Sequence, residues 1–144
     1  NVRKFSFERD SQHISRRYKD FLTLLIASLI AKRFAEQQPP YTADVLSTTY
    51  RIPIRLTSQI LFQLKRLGII NEVNYGGDER VIHYQPAMDI HQLTVSYLLD
   101  KMDREGSEDF KIDTARLFSP EWKALLKTRE DMMRAGEHIL LKDL

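Results

Sequence analysis

The chain has 144 residues, 42% hydrophobic and 29% charged, the balance of one folded domain and not of a disordered chain. It contains no cysteine, which excludes disulfide frameworks, thiolate metal sites, cysteine-ligated clusters and cysteine nucleophiles. The net charge of +2 is too small to imply a polyanionic partner, but it is unevenly spread: residues 1–34 hold eight Lys/Arg against three Asp/Glu, residues 35–85 hold five of each, and residues 86–144 hold nine against twelve.

Residues 1–14 read as a basic arm, with Phe5 and Phe7 alternating and Arg3 and Lys4 beside them. Ser15 is a candidate N-cap for a helix in which Tyr18, Phe21, Leu22, Leu25, Ile26, Leu29 and Ile30 recur at helical spacing up to Phe34. Its apolar run, Phe21 to Ala31, is eleven residues long, whereas a membrane-spanning helix needs about 20. Arg16, Arg17, Lys19 and Asp20 precede the run after a long polar lead, and no small-residue cleavage site follows, so a signal peptide is a poor fit. Pro39-Pro40 stops the helix.

Thr42 can cap a short second helix with Asp44 in its first turn, and Arg51-Ile52-Pro53 breaks the chain before a third. That third helix carries Leu56, Ile60, Leu64 and Leu67 as one stripe and closes at Gly68. Ile69–Tyr75 and Arg80–Tyr84 then read as two strands joined by a tight turn at Gly76-Gly77-Asp78. Asp89 is a candidate cap for a fourth helix ending near Gly106, and Ser119-Pro120-Glu121 starts a last one carrying Trp122, Leu125, Leu126, Met132 and Met133. The expected architecture is mainly α with a small β-hairpin. Residues 15–105 form a winged-helix core, and residues 106–144 form an acidic loop and C-terminal helix packed on it.

Opposite the leucine stripe, the third helix presents Arg55, Ser58, Phe62, Lys65 and Arg66. The arginines suit phosphates or guanine edges, but the aromatic in the middle of the face suits a protein contact better than a polar groove. The candidate wing, Gly76, Gly77 and Arg80, offers one cation offset by Asp78 and Glu79. Chemistry is sparse elsewhere. His13, His83, His91 and His138 are scattered, and no phosphate loop, nucleophile elbow or zinc spacing occurs. No catalytic residue, metal, cofactor or small-molecule ligand is expected.

Five stretches form a set: Ile14-Ser15-Arg16-Arg17-Tyr18, Pro39-Pro40-Tyr41-Thr42-Ala43, Ile52-Pro53-Ile54-Arg55-Leu56, Tyr84-Gln85-Pro86-Ala87 with Asp89-Ile90, and Gly106-Ser107-Glu108-Asp109-Phe110. The set resembles the C-terminal cytoplasmic extension of the YihY/BrkB family of bacterial inner-membrane proteins, long labelled ribonuclease BN. This resemblance implies membrane helices upstream, in keeping with a chain that starts at Asn1 instead of Met, and a location on the cytoplasmic side of the inner membrane. It makes the domain a non-catalytic interaction or regulatory module. Its partners would be its own membrane domain or a second copy, with Arg3, Lys4, Arg16 and Arg17 facing anionic lipid. A second resemblance is carried by Ile52-Pro53, Ile60-Leu61, Leu64, Gly68-Ile69-Ile70 and Gly76-Gly77. These stretches are similar to winged-helix repressors that hold an iron–sulfur cluster on three cysteines after the wing, which this chain lacks. The missing cysteines put cluster sensing in doubt even with a shared fold. The winged-helix order itself gives the alternative reading, a DNA-binding transcriptional regulator, and the YihY/BrkB label supplies a third, a tRNA-processing ribonuclease.

Overall fold

A computed structural model describes residues 13–144. Helix α1 (Arg16–Ala35) starts where the Ser15 hydroxyl accepts from the Tyr18 amide at 3.2 Å. It buries Leu22, Ile26, Ala27, Ile30 and Ala31, while Tyr18 and Phe21 at its start are exposed. Thr23 and Ser28 are buried in the same helix, and each satisfies its hydroxyl on a backbone carbonyl one turn back, Lys19 and Leu25, at 2.8 Å.

Helix α2 (Ala43–Tyr50) is capped by Thr42, which accepts from the Val45 amide at 3.1 Å. Its end is sharp: Arg51 adopts a left-handed conformation (φ 56°), and the Ile52 amide donates back to Ser47. Ile52 is buried at this turn, and α3 (Ile54–Arg66) follows it. At its far end the Gly68 amide donates to Lys65 and the Ile69 amide to Leu64, the paired bonds of a Schellman closure, with Gly68 at φ 75°. Leu56, Ile60, Leu61 and Leu64 are buried beneath α3. Burying each such side chain stabilises the fold by about 1.5–3 kcal/mol before entropy is charged against it.

Strands β1 (Ile70–Val73) and β2 (His83–Pro86) pair antiparallel with Ile70 opposite Pro86 and Val73 opposite His83. Tyr84 also donates from its amide to the Tyr41 carbonyl at 2.9 Å, tying the hairpin to the segment before α2. The strands are shorter than their sequence suggests, and the second is displaced toward Pro86; the connection spans residues 74–82 instead of three.

Helix α4 (Val95–Asp103) is capped by Thr94, not by Asp89. Helix α5 (Ser119–Arg134) lies against α4, and the chain then returns to the core. The Leu141 amide donates to Leu93 at 3.0 Å, and Leu141, fully buried in a short 3₁₀ turn (Leu141–Asp143), seats against α1.

Candidate nucleic-acid interface

The outward side of α3 follows from what its inward side buries. Thr57 and Leu61 are buried in addition to the stripe expected from sequence. At about 100° per residue their burial turns the exposed sector toward Arg55 and Arg66 and brings Gln59 into it. Arg55, Ser58, Gln59, Phe62, Lys65 and Arg66 are all exposed. Phe62 is 63% exposed. Gln59 was missing from the sequence reading, and the signal that could have supplied it was Leu61, an apolar residue to one side of the stripe.

The C-terminal half of this face carries two ion pairs. Lys65 Nζ lies 3.1 Å from Glu72 on β1. Arg66 Nε donates to Glu105 Oε2 at 2.6 Å, and Gln63 Nε2 donates to the other carboxylate oxygen at 3.3 Å. The Arg66 guanidinium also sits 5.2 Å from the centre of the Phe62 ring. The Arg66 hydrogen bond, with a smaller contribution from Gln63, holds the Glu105 carboxyl below the ordinary glutamate range. The N-terminal half presents Arg55, Ser58 and Gln59 immediately beyond the turn at Arg51, itself exposed.

Gly76 and Gly77 both take left-handed backbone conformations (φ 79° and 81°), which is why this connection uses glycine. Arg80 stays beside them but is paired with Asp78 at 3.2 Å. That contact and the Arg80 amide together lower the Asp78 carboxyl from its usual value. The Tyr75 and His83 rings meet at a tilt of 58°, with centres 5.3 Å apart, at the base of the connection. Arg16 and Arg17 are exposed on the first turn of α1; Arg3 and Lys4, and the alternating Phe5 and Phe7, lie outside the described residues.

Among the described residues, no group of three or more His, Cys, Asp or Glu side chains gathers as metal ligands. Grooves open on the surface of the described residues. One of about 1150 Å³ runs between α4 and α5 past Trp122, Leu125, Leu126 and Met133. Another, of about 460 Å³, lies between the start of α1 and the α2–α3 turn and is lined by Tyr18, Phe21, Ile52 and Pro53.

A helix, a tight helix–turn–helix unit and a β-hairpin wing define this chain as a winged helix with additional C-terminal helices. Solved structures share the fold nearly end to end. The global cysteine regulator CymR (YrzC) of B. subtilis is 15% identical with a TM-score of 0.59, the match covering 90% of this chain and 93% of that one. T. potens IscR is 16% identical with a TM-score of 0.59, covering 92% and 87%. Staphylococcus aureus CymR is 15% identical with a TM-score of 0.58, covering 87% and 93%. No family model and no curated protein sequence matches the chain.

The resemblance to the YihY/BrkB membrane family is therefore corrected: the solved structures found to share this architecture include CymR and IscR regulators, and not a membrane-protein domain. Nor is any helix among the described residues long and apolar enough to cross a membrane. Four of the five sequence stretches behind that resemblance fall at helix starts, turns and strand ends, and the fifth, Gly106–Phe110, in the irregular segment after α4. Such signals mark backbone geometry wherever it occurs, so they carried the fold without identifying the family.

Proposed function

We propose that the chain is a DNA-binding winged-helix regulator that presents α3 to the major groove and the β1–β2 connection to the flanking backbone. The observation that carries this reading is the N-terminal half of α3. There Arg55, Ser58 and Gln59 project together from a helix whose opposite side is buried, directly after the turn at the left-handed Arg51. Arginine pairs with guanine and glutamine with adenine through two hydrogen bonds each, and a serine hydroxyl reaches phosphate or base. Phe62 does not exclude this role, because an exposed aromatic ring can pack on the thymine methyl group in the same groove. The likeness to regulators across most of both chains supports the reading at the level of fold.

Duplex DNA selected from a random-sequence pool should bind with an affinity that falls as salt rises, the log–log slope reporting several phosphates at about −0.9 each. Arg55→Ala should cost about 1–3 kcal/mol and relax base preference at one position. A flat titration at low salt would overturn the proposal. The exposed Phe62 also favours a second reading, a protein contact. Phe62→Ala with DNA binding unchanged would move the aromatic to that role.

A further inference from the structure

We infer that Glu105 is an intramolecular latch that occupies Arg66 and Gln63 of α3 in place of a DNA phosphate. The inference rests on the DNA-binding reading and deepens it. Glu105 lies 39 residues beyond Arg66 in sequence, in the segment that follows α4, yet both of its carboxylate oxygens are used on α3. An anion accepting from a guanidinium and a neighbouring amide through two oxygens reproduces how such side chains hold a phosphate. Phe62 lies against the Arg66 guanidinium at 5.2 Å, on the same face of the helix as the ion pair.

A phosphate approaching Arg66 meets a donor already bonded and a negative charge beside it. The Glu105 side chain is 26% exposed and the Arg66 side chain 50%, so the pair is a surface pair and opens at small cost. Glu105 is attached just past the end of α4, its amide donating to the Met102 carbonyl at 3.3 Å. Gly106 follows at φ 115°, and the neighbouring residues Arg104 and Glu108 line the α4–α5 groove. A change in that groove therefore acts on the residues either side of the latch.

The test compares wild type, Glu105→Gln, Arg66→Gln and the double variant on one selected duplex over a range of salt, with urea unfolding of each. The latch predicts about three- to tenfold tighter binding by Glu105→Gln, a log–log salt slope steeper by about one phosphate, and no such gain when Arg66 is already Gln. If wild type binds and Glu105→Gln binds equally or more weakly, the latch is overturned. A lowered urea midpoint with unchanged affinity overturns it likewise, marking Glu105 as purely structural. If no variant binds duplex even at low salt, it is the DNA-binding reading that fails, and the latch goes with it.

Discussion

Single atoms decide two points in this molecule. Gly136 is buried where the chain leaves α5 and passes α4, and the Ser96 amide donates to its carbonyl while the Ser96 hydroxyl donates to that of Met133. A Cβ added at Gly136 would lie 2.9 Å from the Ser96 hydroxyl oxygen and 3.1 Å from the Val95 Cβ. The hydroxyl can rotate; the Val95 Cβ, fixed to the backbone, cannot. Gly136→Ala is therefore expected to cost about 1–3 kcal/mol through overpacking, read as a lower urea midpoint. Glu105 is the second point. Arg66 faces it most directly, then Gln63, with the Lys19 charge further off, and all three favour its ionised form. Because its carboxyl is held below the ordinary range, the ion pair persists at neutral pH and is lost only as pH falls through that lowered value. An NMR titration of the Glu105 side chain should give a midpoint below that of an exposed glutamate, and Arg66→Gln should return it toward the ordinary value.

At the scale of elements, the boundaries legible in the sequence are those set by local chemistry. Ser15, Thr42 and Gly68 each mark a helix end because their own side chain or backbone freedom satisfies the terminal groups. The start of α4 was not legible. Asp89 looks like a cap, but its carboxylate takes the His91 amide at 2.8 Å and the ring at 2.9 Å, forming a turn instead. Residues 93 and 94 are held extended by pairing with Leu141 and Leu140, a demand from the far end of the chain that no local pattern displays. The candidate site divides the same way. Arg55, Ser58 and Phe62 could be placed outward from helical spacing alone. That Lys65, Arg66 and Arg80 are each matched by an acid could be suspected only for Arg80, whose partner is two residues away. Glu105 was beyond reach because its contact is tertiary.

Across the whole molecule, packing is unequal. The core joins α1, α2, α3, the hairpin, Leu93, Leu98 and Leu141, whereas α5 contributes no buried residue at all and leaves Leu125, Leu126 and Met132 substantially exposed. In deuterated buffer the amides of α5 should consequently exchange through local opening, well before those around Ile26 and Ile30 of α1, which should persist until global unfolding. Equal protection in the two helices would show that α5 is held by something other than the packing within this chain. The same contrast makes α5 a built-in reporter: whatever binds along its uncovered flank, identified or not, will slow deuterium uptake there first and leave the already protected centre of α1 unaltered.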